Sequence, residues 1–203
     1  MLQPHLIIVC GVPGSGKSTF ASRAADRWRA SRFASETFAN ELGDAARTVS
    51  GDLSKQAIVY AYSAMAIAVR DSLANSKLVV AVGSFRSDEQ RGRFRDIARD
   101  VGTNVTTIRI VCSVDTAAER VRSRLANGER GPTENAIRQI EAELNRATGI
   151  DLTVRNDSSL DDFYQKIDAV MQAYAPPFCD QNTLGWPNLR SLSNLDGAFG
   201  ESV

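Results

Sequence analysis

Apolar and polar positions along this chain fall into two textures. Short, mainly apolar runs rich in β-branched residues occur at 5–10, 77–82, 105–112 and 152–155, with 33–35 offering one more. Such runs read as strands buried on both faces. Between them lie stretches with helical patterning, at about 17–31, 54–75, 87–100, 115–127, 134–147 and 159–174. Strands alternating with helices of that length predict an α/β fold, a parallel sheet of right-handed crossovers flanked by helices. Ligands of such sheets bind beyond the C-terminal ends of the strands. Gly11, Gly83, Ser113 and Asn156 follow those ends, so functional groups are to be sought there.

Two helical stretches carry further detail. On 54–75, Tyr60, Tyr62 and Met65 read as a helix-packing stripe rather than a binding surface. On 115–127, Val114, Ala118, Val121 and Leu125 predict the face that docks on the core. Arg120 and Arg124, four residues apart, then share another face and can point together towards a ligand. The arginine-bearing segment 127–132 follows, which makes about 120–135 a candidate lid. The competing account is a solvated face paired with Glu119, Glu129 and Glu134. After Tyr174 the pattern dissolves into Pro176-Pro177 and a segment without period. The expected organisation is one domain over 1–175 and an irregular tail over 176–203, either docked by Phe178 and Trp186 or partly disordered.

The first strand runs straight into Gly11-Val12-Pro13-Gly14-Ser15-Gly16-Lys17-Ser18, followed by Thr19. This is the pattern G-x-x-x-x-G-K-[ST] between a strand and a helix, the setting in which it binds phosphate. A glycine-rich turn lets backbone N–H groups converge on an anion, and the helix that follows adds its positive dipole end. Lys17 can reach β- and γ-phosphates, and the Ser18 hydroxyl can bind the Mg²⁺ that bridges them. The expected ligand is ATP with Mg²⁺.

Composition narrows the class of partner. The 203 residues carry 24 Lys and Arg against 24 Asp and Glu, so no general polyanion-binding surface is implied, although a local basic groove remains open. Nucleic acid is therefore not the expected partner. No apolar run approaches the length needed to span a bilayer, and the early phosphate loop leaves no room for a signal peptide, so the expected location is cytoplasmic. Cys10, Cys112 and Cys179 lack metal-ligand spacing, and the single histidine, His5, precedes the first strand. Zinc sites and histidine-based triads are excluded on that ground.

Beyond the motif, the chain resembles the small P-loop kinases related to polynucleotide kinase, gluconate kinase, zeta toxin and chloramphenicol phosphotransferase. The resemblance covers roughly 5–174 and rests on Gly11–Thr19, on Ser-Phe-Arg-Ser-Asp-Glu-Gln-Arg at 84–91 and on Glu-Arg-Val-Arg-Ser-Arg-Leu at 119–125. It implies a P-loop NTPase fold with a five-stranded parallel sheet and a lid whose arginines are Arg120 and Arg124. It also likens Asn156-Asp157-Ser158-Ser159 to the loop that lies near the adenine. Two departures stand out. Relatives carry an aspartate and an arginine shortly after the second strand, where this chain has Glu36 and Ala39. Glu36 would orient or deprotonate the acceptor hydroxyl, one methylene further out. Relatives also often place a metal-assisting aspartate at the end of the next strand, where this chain has Val82-Gly83-Ser84-Phe85. Metal binding would then depend on Ser18, the phosphates and water, with Glu36 or Asp88 nearby.

Of the arginines past that strand, Arg86, Arg91, Arg93 and Arg95, the i, i+4 pair Arg91 and Arg95 could face an anionic substrate, but each is expected rather in a surface ion pair with Asp88, Glu89 or Asp96. The function expected is an ATP-dependent kinase phosphorylating a hydroxyl of a small molecule (a metabolite, nucleoside, nucleotide or antibiotic-like compound). Lys17, Glu36 and Arg124 would be catalytic. Gly11, Pro13, Gly14, Ser15, Gly16, Lys17, Ser18, Thr19, Arg120 and Asn156 would bind the nucleotide. The alternative is an NTP-binding regulatory or partner subunit with a degenerate metal site. The acceptor and the oligomeric state stay open.

Overall fold

The computed structural model describes residues 4–48, 52–75 and 78–174. The tail expected over 176–203, Cys179 with it, lies outside them. Five strands form one parallel sheet: β1 (His5–Cys10), β2 (Ser31–Ala34), β3 (Leu78–Val82), β4 (Asn104–Val111) and β5 (Leu152–Arg155), in the order β2-β3-β1-β4-β5. β1 lies at the centre, its Val9 in register with Val82 on one side and Ile108 on the other. The sheet, the flanking helices and the loop after β1 define a P-loop NTPase fold.

The strands alternate their side chains between two cores, as the two-residue repeat requires. Ile7, Val9, Val80, Ile108 and Ile110 face α1 (Lys17–Trp28) and α7 (Leu160–Tyr174). Leu6, Ile8, Val79 and Ala81 face α3 (Lys55–Asn75), α4 (Asp88–Asp100), α5 (Val114–Ala126) and α6 (Glu134–Leu144). A short α2 (Ser35–Asn40) and a 3-10 turn (Gly43–Ala46) join β2 to α3. α1 and α7 are further tied where Asp168 accepts from Arg23 at 2.9 and 2.8 Å and from Arg27.

Several boundaries differ from the sequence reading for local reasons. α1 ends at Trp28, not 31, because Arg29 takes a left-handed φ of 53° and its N–H turns back to the Ala24 carbonyl. That turn releases the chain into β2, which starts at Ser31. α6 ends at Leu144. Val114, Ala118 and Val121 of the expected α5 stripe pack on the core, joined by Ala117, while Leu125, expected with them, is 43% exposed. The 21-residue α3 is long and apolar enough by composition to cross a bilayer, where no such segment was expected. In the fold its Ala57, Ala61, Met65, Val69 and Leu73 are buried.

The loop from β3 to α4 departs furthest from its sequence appearance. Phe85 is fully buried with a left-handed φ of 46°, an unfavourable conformation that its neighbours must enforce. Its N–H donates to the Tyr62 hydroxyl at 2.8 Å, its carbonyl accepts from Arg91, and its ring meets Tyr62 and Phe94 edge-on, centroids 5.0 Å away in each case. Arg91 is therefore no surface arginine. It is 0% exposed, bonded to Phe85 and to Asp88, and it fastens the loop from below. Arg93 and Arg95 also leave the expected carboxylates, donating to Ser63 at 2.9 Å and to Thr107 at 3.1 Å. Removing the buried guanidinium leaves a cavity and an unsatisfied Phe85 carbonyl. Arg91→Ala is expected to lower stability by about 3 kcal/mol in urea unfolding, with a far smaller change for Asp88→Asn.

Candidate active site

The site grows from the end of the central strand. At Gly16, α1 begins with φ 106° and with no side chain capping its first turn. α4, α5 and α6, by contrast, are capped by Ser87, Ser113 and Thr133, whose hydroxyls accept from backbone N–H groups at 3.2, 3.1 and 3.2 Å. The first N–H groups of α1 are thus left for a ligand, and the helix dipole favours an anion there. Gly16 has no alternative residue, because a Cβ would overlap the Asn156 side-chain amide.

Lys17 leans back over the loop and donates to the Val12 carbonyl at 2.7 Å. Desolvation pushes its ammonium down to about 8, against the pull of the Glu36 carboxylate. Ser18 is exposed beside it. Asn156 is buried and donates to the Ser15 carbonyl at 2.8 Å, so its side chain supports the loop from beneath. From α5, Arg120 reaches the Gly14 and Asn156 carbonyls at 3.3 Å each. Arg124 donates to the Arg120 carbonyl at 3.4 Å. The expected competitor Glu134 bonds instead to Arg138 at 2.8 Å.

These groups open on a cavity of about 820 Å³. Pro13, Gly14, Gly16, Lys17, Ser18, Thr19, Glu36, Arg120, Arg124 and Asn156 all line it, whereas Gly11 and Ser15 are buried and do not. Glu36 stands exposed in the first turn of α2, directly after β2. Asp88 stays outside this cavity, bonded to Arg91 and to Thr148, and both hold its carboxyl below the usual range. Among the described residues no group of three or more His, Cys, Asp or Glu could hold a metal ion. His5, at the start of β1, does not line the cavity; it is bonded to Thr106 at 2.8 Å and lowered in pKa by burial.

Sequence reasoning did not single out Arg47, Asp52, Lys55 or Gln139, which also line the cavity. None lies in a motif; the fold of the segment between β2 and α3 brings the first three there. Asp52 accepts from the N–H and hydroxyl of Thr133 at 2.9 and 3.2 Å, which links that segment to the start of α6. Gly83 marks a further close approach. A Cβ there would stand 2.5 Å from the Tyr62 hydroxyl and 3.0 Å from the Ser35 hydroxyl. Tyr62, its pKa raised to about 12 by burial, occupies the space beside the strand end where a carboxylate was expected.

Fold and site together define a P-loop nucleotide-binding protein. Residues 6–147 match the family model described as an AAA domain, and the chain belongs to that family. No curated protein matches it in sequence. Among solved structures, a candidate kinase from Chloroflexus aurantiacus is similar with TM-score 0.65 and 22% identity, over 84% of this chain and 98% of that one. A gluconokinase from Sinorhizobium meliloti gives 0.62 and 19%, over 85% and 94%. The APS kinase CysC of Mycobacterium tuberculosis, solved with AMPPNP and APS, gives 0.62 and 17%, over 85% and 99%. The shared feature is the fold of the small P-loop kinases.

A polyphosphate bound at this loop favours the charged form of Lys17 and raises its pKa. Binding above pH 8 therefore takes up a proton, and affinity falls as pH rises from 7 to 9. Trace acetylation of the amines should give Lys17 a labelling midpoint near pH 8 that moves upward when ADP is added.

Proposed function

We propose that the protein is an ATP-dependent kinase that transfers the γ-phosphoryl group to a hydroxyl of a small molecule. The observation that carries this reading is the convergence on one cavity of an uncapped helix N-terminus, Lys17, Ser18, two arginines of α5 and the Glu36 carboxylate. An anion-binding loop alone accounts for nucleotide; a carboxylate facing the same space accounts for an acceptor.

In this mechanism the loop N–H groups and Lys17 bind the β,γ-phosphates, Lys17 exchanging the Val12 carbonyl for phosphate oxygens. Glu36 accepts or orients the acceptor's hydroxyl proton while the hydroxyl oxygen attacks phosphorus in line. The bond from phosphorus to the bridging oxygen breaks, and ADP leaves. Arg120 and Arg124 neutralise charge on the transferring group, and the segment 120–135 acts as the lid that excludes water. Asn156 keeps the loop in position rather than reading the base. The donor set fits Mg²⁺ held mainly by nucleotide and water, with the exposed Ser18 hydroxyl as the protein ligand and no carboxylate at Val82. When bound, the ion would supply charge neutralisation to the polyphosphate.

Val82 also supports a second reading, a regulatory subunit that binds nucleotide without turnover. The two differ in label transfer from γ-labelled ATP to a panel of hydroxyl compounds. The kinase reading expects transfer that Lys17→Ala abolishes, and ATP binding without transfer would favour the regulator. Glu36→Gln is expected to lower kcat by about a hundredfold with ATP affinity nearly intact. An unchanged kcat would remove Glu36 from the reaction.

A further inference from the structure

The charge on the cavity wall exceeds what a nucleotide requires. The chain as a whole is neutral, 24 basic residues against 24 acidic ones. Yet the cavity is lined by seven Lys and Arg side chains and by only two carboxylates, Glu36 and Asp52. Asp52 accepts from the neutral N–H and hydroxyl of Thr133 and keeps its charge, so the basic side chains outnumber the carboxylates by five. Four of the cations, Lys17, Arg120, Arg124 and Arg130, come from the phosphate loop and the α5–α6 segment. ATP with its magnesium brings about two net negative charges, fewer than these four cations alone supply. Lys55 and Arg86 add to these from the other wall, as the first residue of α3 and in the loop after β3. In a concave, low-dielectric space such an excess focuses a positive field on whatever shares the cavity with the nucleotide.

Two of these cations stand at a junction. A second hollow of about 590 Å³ shares Lys55, Ile58, Arg86 and Gln90 with the main cavity. Neither cation is locked into the fold. Lys55 is exposed, and Arg86 meets Glu143 through Nε at 3.3 Å, with both side chains part-exposed. Exposed pairs of that kind are weak and readily exchanged for a better anion. Arg91, in the next turn, shows what a structural arginine looks like here: fully buried and bonded to the Phe85 carbonyl.

We infer that the acceptor is itself an anion, a hydroxyl compound bearing a carboxylate, phosphate or sulfate away from the reacting hydroxyl, held by Lys55 and Arg86 where the two cavities meet. This rests on the kinase reading above. It leaves the reaction unchanged and adds the charge by which the substrate is selected. A remote anion bound at the junction lets its hydroxyl lie towards Glu36, and a neutral analogue forfeits that hold.

The test is a phosphorylation screen with the full-length protein and γ-labelled ATP. A metabolite extract is divided on an anion-exchange resin into retained and unretained fractions. Label is expected in a compound of the retained fraction, and the neutral loss of the product in mass spectrometry tells carboxylate, phosphate and sulfate apart. With that compound, Arg86→Gln and Lys55→Gln should each raise the acceptor KM by about tenfold, while the KM for ATP stays within about twofold. Transfer confined to the unretained fraction would overturn the anionic subsite and leave the kinase standing. An acceptor KM unchanged in both variants would overturn it as well. Absence of transfer from both fractions, with ATP still bound, would overturn the kinase reading and this inference together.

Discussion

The site depends on how closely the phosphate loop lies against the elements around it. A methyl group on Gly14 would overlap the backbone of Ala117 in α5, and one on Gly16 would overlap the Asn156 amide at the end of β5. The loop is therefore wedged between α5 and the β5 end, and its ring of N–H groups is fixed before any ligand arrives. Asn156 and Arg120 occupy the loop's outward carbonyls, at Ser15 and Gly14. With those acceptors satisfied, what the loop presents to the cavity is positive. Preorganisation of this kind is what electrostatic catalysis of phosphoryl transfer needs, because no dipole has to turn during the reaction.

The same economy of space shapes the loop after β3. Gly83 admits the Tyr62 hydroxyl to the strand end, Tyr62 holds the Phe85 N–H, and Arg91 holds the Phe85 carbonyl. Together they maintain a backbone conformation that Phe85 would not adopt alone. Val82 packs with Ile7 and Val9 and also borders the cavity, so the strand end offers the site an apolar surface where a carboxylate was expected. Basic side chains predominate around that cavity. Arg86 follows directly from that strained loop, so the fold that dispenses with the carboxylate also delivers an arginine to the cavity.

Much of this was legible in the chain, and for identifiable reasons. β1 and β3 are nearly continuous apolar runs because they are covered on both faces, and β4 and β5 are β-branched and mostly apolar, so all four are visible without any knowledge of pairing. The loop Gly11–Ser18 is legible because its spacing is set by local backbone geometry. The arginines were less so. Arg91 sits among charged neighbours, Asp88, Glu89 and Arg93, and looks like a surface residue; only the aromatic cluster of Phe85 and Phe94 above it makes it buried. Leu125 looks like core for the converse reason, since its helix turns Ala117 and Ala118 inward.

By itself, then, the sequence determined the alternation of strands and helices, the phosphate loop and the spacing of Arg120 and Arg124, since each is encoded within a few neighbouring residues. Tertiary structure alone decided which distant groups share the cavity. Glu36, Lys55, Arg86 and Arg124 come from four different segments, and their meeting depends on the order in which the strands are laid side by side. It also decided the role of Asn156, whose amide finds the Ser15 carbonyl 141 positions earlier in the chain. Local chemistry is written in short patterns; the charge of a cavity is a sum over residues that only folding brings together.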